Sequence, residues 1–588
     1  MVVSGRSSAV APDPTDPVAG DRPGRDAPGF SDLWWYVGGV VVGAGLLLAT
    51  ALRQPFSYDE LSQINPYGSD DISTIIDGTR QPPLDALLGG LFRHLLGQGQ
   101  LQQRLVPLLS GIGILVVASL LLRRLGLGRA GAWAVWVLAT APIAVRYGAY
   151  TRPYALPMFE MLLFAYATHR WLDGRQRRWL VTLVLTAVAL PFTRVPEPCV
   201  FLGVTAVALA WASWRGRLRW AETWWVIATS LGALFLVGVP MFLLLGSETQ
   251  GSFFDPSPGG IMGRAGRGLH EIATAVVPLL GSSFPWWPLS LAVLVVAVGV
   301  GASRRQLFSW PFFWSLLAAP VAFVLAYHLL NPFSFYALPY RSRAAYFFLP
   351  AYVLLTASVA WLVGRRRGLA LPWRVVLSVL LGAALVSQLP ATVRVVRDDA
   401  APDFGKASQL VREQVPDDAI VLYDRPAPAG QSRQPFQGTP RYMGSTPYTT
   451  TLAAVAKETS ELPQSGPVYV LVNGQCARPG RCHLSRRPWV QHVPGWKVVA
   501  TQERFSLYAP TGQQSGVRGV TQAMRSFGAT LGPELGYVET LTLAVLQQRA
   551  GHPEQARETV RRLRASVSPT INRRIDDFVE LKNFPVPD

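Results

Sequence analysis

The sequence predicts an α-helical membrane protein with many spans, and three observations support this fold class. Of the 588 residues, 50% are hydrophobic and only 15% are charged, whereas about 25% of a soluble protein is usually charged. The mean hydropathy is +0.24. About eleven apolar stretches approach the length that crosses a bilayer as a helix, and arginine clusters separate them in alternate loops.

The first of these stretches, Leu33–Leu52, carries no charge. It follows residues 1–30, which are rich in Pro, Asp, Gly and Ser and are predicted to be a disordered tail. This tail is too long and too acidic for the start of a signal peptide, so we expect the helix to be retained. The other predicted spans cover approximately residues 104–122, 130–146, 153–172, 179–193, 196–214, 221–245, 286–302, 311–330, 344–363 and 372–390.

The arginine clusters predict the topology, because positively charged loops stay in the cytoplasm. All of them agree with a cytoplasmic N-terminus, a first loop outside and an extracytoplasmic region after residue 395, in a multi-pass protein of the plasma membrane. This pattern explains the net charge of +18 without a nucleic acid partner. The clusters are Arg123, Arg124 and Arg129; Arg170, Arg175, Arg177 and Arg178; Arg215, Arg217 and Arg219; Arg304 and Arg305; and Arg365–Arg367.

Two apolar stretches do not fit this topology as spans. Pro82–Gly97 is short and charged, and it is predicted to be an amphipathic helix in the outer interface. Gly268–Phe284 is predicted to be interfacial or re-entrant.

The acidic pair Asp59-Glu60 directly follows the first predicted span. Carboxylates beside a membrane are functional candidates because they are costly unless water, a cation or a substrate meets them. Arginines on the same outer face run against the charge bias and indicate an anionic ligand. These polar segments are Arg80–Pro83, Arg104, Arg146–Tyr154, Thr193–Glu197 and Tyr340–Arg343.

Four segments occur in the order found in the GT-C superfamily of lipid-dependent glycosyltransferases. The chain resembles the protein mannosyltransferase, aminoarabinose transferase and arabinofuranosyltransferase groups, mainly over residues 30–200. Gln81 replaces the usual His, and Thr151 stands near a position that is often acidic or small. The four segments are Tyr58–Glu60, Gln81–Leu84, Arg104–Gly111 and Tyr147–Leu156.

This resemblance implies a GT-C-like fold with about eleven transmembrane helices plus interfacial helices. It also implies transfer of a sugar from a polyprenyl-phosphate donor to a hydroxyl of a cell-envelope glycan, lipid or protein. Asp59 would be the base, and Glu60 would orient the acceptor or a divalent cation (Mg, Mn or Ca). A single base implies inversion at the anomeric carbon. A retaining mechanism would need a second carboxylate as nucleophile, and Glu197 and Asp85 on the same face are the alternatives for that role.

The resemblance also implies which residues contact the two substrates. Arginine suits the donor phosphate because its planar fork binds two phosphate oxygens. The arginines assigned to the phosphate are Arg146, Arg152, Arg341 and Arg343. Further substrate contacts are assigned to Tyr58, Arg80, Gln81, Arg104 and Tyr154.

Each assignment has a structural alternative. The carboxylate pair could be a solvated loop pair, the arginines could anchor helix ends at lipid headgroups, and Tyr147, Tyr150 and Tyr154 could form an aromatic belt. Glu160, in a predicted span, either contacts substrate or makes a helix–helix hydrogen bond, and the hydrogen bond is the favoured interpretation.

The sequence divides at residue 395 into a transmembrane region (31–395) and a hydrophilic region. Residues 396–512 are predicted to form an α/β domain, with a helix at Asp403–Val415 and a polar loop at Gln431–Thr450. Residues 513–588 are predicted to be helical. Cys476 and Cys482 are either a disulfide, which the outer location favours, or a chance pair. The predicted strands are Ala419–Tyr423, Val468–Val472, Trp496–Thr501 and Phe505–Tyr508.

Two other function classes compete with a transferase. A transporter of lipid-linked saccharides would place its polar residues at mid-membrane and show internal repeats, whereas these polar residues gather at one face. A sugar-binding scaffold with a degenerate site is suggested only by Gln81. The composition fits a bacterium with a high GC content, in which mannose, arabinofuranose or galactofuranose donors are expected.

Overall fold

The structure is a computed structural model. It describes the following residues: 30–54, 56, 60, 63–64, 82–97, 99–216, 218–241, 243, 262–263, 265–266, 268–270, 272, 311–330, 346–364, 371–397, 410–411, 413–416, 418–424, 448–451, 465–473, 493–502, 505–512, 514–535, 537–569, 572 and 575. Asp59 and the segment 286–302 therefore lie outside the described residues.

The transmembrane region consists of apolar helices packed around one hydrophobic core. The first helix packs against the fourth and fifth, and the seventh packs against the fourth and eighth. The helices are Phe30–Arg53 (α1), Pro83–Leu96 (α2), Gln100–Gln103 (α3), Leu105–Arg124 (α4), Gly128–Ala139 (α5), Pro142–Gly148 (α6), Ala155–Gly174 (α7), Arg177–Thr193 (α8), Pro196–Trp214 (α9), Trp220–Ala233 (α10), Pro311–Leu330 (α11), Leu349–Gly364 (α12) and Leu371–Val396 (α13).

One predicted span is broken. Residues 130–146 form α5 and α6, which meet at an angle of 62°. Ala141 between them is extended (φ −67°, ψ 122°), as expected because the proline that follows, Pro142, disfavours helical geometry in the residue before it. Because of this break, Tyr147 and the segment after it lie at the end of the bundle.

Among the described residues, four helices are long and apolar enough to cross a membrane, or five if the bent pair is one span. They are Asp32–Arg53, Leu105–Arg124, Glu197–Trp214 and Trp220–Met241. The predicted number of about eleven spans and the predicted topology remain predictions.

The two ends of the bundle differ in their ion pairs. At one end, Arg129 pairs with Asp32, Arg124 pairs with Asp173, and Arg175 pairs with Glu222. These arginines belong to two of the clusters that predict the cytoplasmic loops. We call the other end, where α1 finishes and α4 begins, the site end.

The hydrophilic region contains a five-stranded sheet. Its strands are Ile420–Asp424 (β1), Tyr448–Thr451 (β2), Val468–Asn473 (β3), Trp496–Gln502 (β4) and Phe505–Pro510 (β5). The strand order is β2-β1-β3-β5-β4; β1 is parallel to β2 and β3, and β5 is antiparallel to β3 and β4. Sequence patterns predicted four of these strands. The strand β2, at the end of the predicted polar loop, was not predicted, because its threonines show no apolar alternation.

Three helices follow the sheet: Gly516–Leu535 (α14), Tyr537–Arg549 (α15) and Pro553–Ser566 (α16). Val520, Met524 and Phe527 of α14 share a hydrophobic cluster with the sheet. The sheet, α14 and two residues of α15 (Leu543 and Leu546) therefore share one core across the predicted boundary at residue 512. Other residues of α15 pack with α16 in a separate cluster.

Candidate active site

A buried ion pair lies at the site end of the bundle. Glu60 and Arg104 are each only 1% exposed. The Nε and Nη2 atoms of Arg104 donate to the Oε1 and Oε2 atoms of Glu60 at 3.0 and 3.1 Å. This two-point geometry is the strong, orientation-specific form of an arginine–carboxylate pair.

Arg104 also caps the C-terminus of α1. Its Nη1 atom donates to the backbone oxygens of Ala51 (3.0 Å) and Gln54 (2.6 Å). These carbonyls are left without helical partners at a helix C-terminus, where a positive charge is favoured. Gln100 donates to the same region, and the Arg104 guanidinium lies over the Phe56 ring at 4.5 Å. Arg104 thus connects α1, Phe56 and Glu60.

A second partner of Glu60 comes from the segment between α6 and α7. The backbone N–H of Thr151 donates to Glu60 Oε1 at 3.0 Å. Nearby, a Cβ added to Gly111 of α4 would lie 3.1 Å from the backbone of Gly148 in α6, which is closer than most Cβ contacts. Two of the motif segments, Arg104–Gly111 and Tyr147–Leu156, therefore pack together through these glycines.

An aromatic cluster flanks this contact. The Tyr147 ring lies 4.9 Å from the Tyr154 ring and 5.3 Å from the Tyr346 ring. Tyr147, Tyr154 and Tyr346 are buried against one another, whereas a lipid-facing belt would leave them exposed. Arg194 lies over the Tyr154 ring at 4.7 Å and pairs with Glu197 at 2.7 Å.

The arginines assigned to the donor phosphate differ in their environment. Arg146 is exposed on α6, and Arg152 is half-buried in the turn before α7. Both lie in the segment that contacts Glu60 through Thr151. The remaining assigned residues lie outside the described residues: Tyr58, Asp59, Arg80, Gln81, Arg341 and Arg343, together with the proposed disulfide Cys476–Cys482.

The structure changes the expected roles of Glu60 and Arg104. Both were assigned contacts with substrate or metal, yet both are buried and bound to each other. A direct contact with substrate remains a prediction for each, and the geometry favours a positioning role. Among the described residues, no group of three or more His, Cys, Asp or Glu side chains could hold a metal. The carboxylate of Glu60 is bound by Arg104 and by the Thr151 N–H, and Asp59 lies outside the described residues, so a divalent cation at the acidic pair stays a prediction.

Some contacts could not be found from residue types. Thr151 contacts Glu60 through its backbone N–H, which does not depend on the residue type. The Phe56 ring lies under Arg104, but ordinary hydrophobic packing would also explain an aromatic residue at this position. Arg194 was part of the outer polar group without a role of its own. The hydrogen bond expected for Glu160 is present: the Thr193 hydroxyl donates to its carboxylate at 2.9 Å.

Comparisons with known proteins bear on this site. A family model described as dolichyl-phosphate-mannose-protein mannosyltransferase matches residues 80–242. The match covers less than half of the chain; it includes Arg104, Arg146 and Arg152 but not the acidic pair. The chain resembles the GT-C glycosyltransferases.

Three solved structures align with the chain. The apo ArnT of Cupriavidus metallidurans aligns with a TM-score of 0.50 at 14% identity, over 82% of this chain and 98% of that one. The same ArnT bound to undecaprenyl phosphate gives 0.49 at 14% identity, over 83% and 99%. The oligosaccharyltransferase of Archaeoglobus fulgidus gives 0.41 at 12% identity, over 94% and 87%. No curated protein sequence matches the chain significantly.

Proposed function

We propose that the chain is an inverting membrane glycosyltransferase. It moves a sugar from a polyprenyl-phosphate donor to a hydroxyl of a cell-envelope glycan, lipid or protein, and mannose, arabinofuranose and galactofuranose are the first sugars to test. The reaction takes place at the outer face of the plasma membrane, with the N-terminus in the cytoplasm and the sheet region outside.

One observation carries this proposal: three of the four motif segments meet at the Glu60 carboxylate. Glu60 comes from the first segment, Arg104 from the third and Thr151 from the fourth. Segments that lie far apart along the chain thus converge on one buried atom, Glu60 Oε1. The convergence supports a shared site at the end of the bundle that the topology prediction places outside.

The chemistry of the donor explains the arginines. The leaving group is a phosphate monoester anion, which needs no proton from a general acid. It needs cations near the oxygens that gain negative charge as the bond to the sugar breaks. Arg146 and Arg152, with Arg341 and Arg343 from the sequence assignment, supply this charge and bind the phosphate through their planar forks.

The acceptor hydroxyl needs a base, and we assign this role to Asp59. Asp59 directly precedes Glu60 in the chain, and the Glu60 carboxylate accepts hydrogen bonds from Arg104 and from the Thr151 N–H. Glu60 is therefore a positioning residue that fixes the chain beside the base. A single base that acts opposite the leaving phosphate produces inversion in one displacement.

Reconstituted protein tests this function. We expect the purified full chain in liposomes to release polyprenyl phosphate from at least one undecaprenyl-phosphate sugar (mannose, arabinofuranose or galactofuranose), with a membrane extract as acceptor source. We chose undecaprenyl as the carrier because ArnT was solved with undecaprenyl phosphate. Movement of an intact donor between leaflets without cleavage would instead identify a transporter, and binding alone would identify a scaffold.

A further inference from the structure

The sheet of the hydrophilic region has two buried faces with different partners. Residues alternate between the faces, so that Leu422 and Val470 lie on the side covered by α14. Val421 and Leu471 lie on the other side, where Leu471 is opposite Leu507 in the β3–β5 register. We call this second side the loop-facing side of the sheet, and its residues are Val421, Leu471, Phe505 and Leu507.

The loop-facing side shares its hydrophobic cluster with the transmembrane region. Phe56 and Ile64, which follow α1, and Ala86 of α2 belong to the same cluster as Leu471 and Leu507. Phe56 is 5% exposed and Ile64 is fully buried. The sheet therefore completes the core beneath the chain segment that carries the acidic pair.

Polar contacts hold the same segment from the side of the membrane helices. The Arg93 Nη1 atom in α2 donates to the backbone oxygen of Ile64 at 3.3 Å. Phe56 packs in the shared cluster and lies under the Arg104 guanidinium, which binds Glu60. The hydrophobic cluster, which also contains Leu410, Val411 and Val415, and these polar contacts thus join the sheet through Phe56 and Arg104 to Glu60.

We propose that the sheet is a positioning platform for the catalytic segment, acting through Phe56 and Ile64 on the Arg104–Glu60 pair. Its effect on turnover rests on the proposed function, because Glu60 is joined to the proposed base, Asp59. Small displacements of a catalytic group can lower a rate by about 100-fold. Loss of packing on the loop-facing side should therefore lower kcat more than it changes the KM for donor.

Two leucines give a matched test. Leu471 and Leu422 are both fully buried in the same sheet, but they lie on opposite faces. In the purified full chain, we expect Leu471→Ala to lower kcat roughly tenfold or more, with the donor KM within about twofold. We expect both alanine variants to lower the thermal midpoint by a similar amount, but we expect Leu422→Ala to keep kcat within about twofold of the wild-type value. Leu471→Met, which keeps most of the volume, should restore kcat.

Hydrogen exchange tests the contact without any activity. Peptides that cover residues 54–64 should exchange faster in Leu471→Ala and in Phe56→Ala than in wild type, and at the wild-type rate in Leu422→Ala. If the two leucine variants show equal exchange in these peptides, the sheet does not position the segment. If exchange differs as expected but the wild type turns over no polyprenyl-phosphate sugar, the proposed function fails and the positioning contact stands. Equal kcat loss in both leucine variants would also overturn the proposal.

Discussion

Replacing Asp59 with Asn is expected to abolish most sugar transfer. An amide of the same size cannot accept the proton of the acceptor hydroxyl, and general base catalysis contributes about 100- to 10,000-fold. We expect kcat to fall by a factor in this range while the donor KM changes little, because the residues proposed to bind the phosphate are arginines and not Asp59. Release of polyprenyl phosphate by the purified protein measures both constants.

Asp418 provides the control for this substitution. It lies in an exposed turn before β1, so Asp418→Asn makes the same chemical change away from the acidic pair. We expect wild-type kinetics from this variant. Turnover by Asp59→Asn equal to that of Asp418→Asn would remove Asp59 from the role of base.

Replacing Arg104 with Met is expected to cause the largest loss of stability. The substitution removes the guanidinium that pairs with Glu60, a carboxylate that is 1% exposed. Breaking a buried pair in this way costs about 3–5 kcal/mol. It also leaves the carbonyls of Ala51 and Gln54 without these donors. A large fall in the thermal midpoint of the purified protein would report this loss.

A double variant separates stability from positioning. Glu60→Gln combined with Arg104→Met removes both charges, and it should recover part of the lost stability because no buried carboxylate remains unpaired. Transfer should stay low, because the Arg104–Glu60 pair no longer fixes the segment that carries Asp59.

Arg124→Met is the matched control for Arg104→Met. Arg124 pairs with Asp173 at the opposite end of the bundle, and both side chains are about one-third exposed, at 34% and 35%. Such exposed pairs contribute about 0–1 kcal/mol. Equal destabilisation by Arg104→Met and Arg124→Met would show that the Glu60–Arg104 pair has no special structural role.

Much of the helical architecture follows from apolar length, and the sequence predictions for α1, α4 and α9 lie within a few residues of the structure. The break between α5 and α6 was not predicted, because the apolar stretch runs through it without interruption. Pro142 was the available signal. Only the structure gives the angle of 62° that carries Tyr147 to the site end.

The site itself was predicted in part. The order of the motif segments placed Glu60, Arg104 and Thr151 in one predicted site. From residue types alone, the charged side chains were expected to face a ligand. The structure shows that Glu60 and Arg104 are buried and bind each other, which favours a positioning role, while their contact with substrate remains a prediction. Neither the shared core of Phe56 and Leu471 nor the backbone donor at Thr151 has a sequence signature.

The anomeric configuration of the product tests the single-displacement mechanism most directly. A polyprenyl-phosphate sugar of known configuration would be turned over by the purified protein, and NMR would report the anomeric proton of the transferred sugar before any equilibration. One base, Asp59, acting opposite the leaving phosphate predicts a product whose configuration is inverted relative to the donor. A product with retained configuration would contradict this mechanism, because it requires a second displacement and a carboxylate nucleophile.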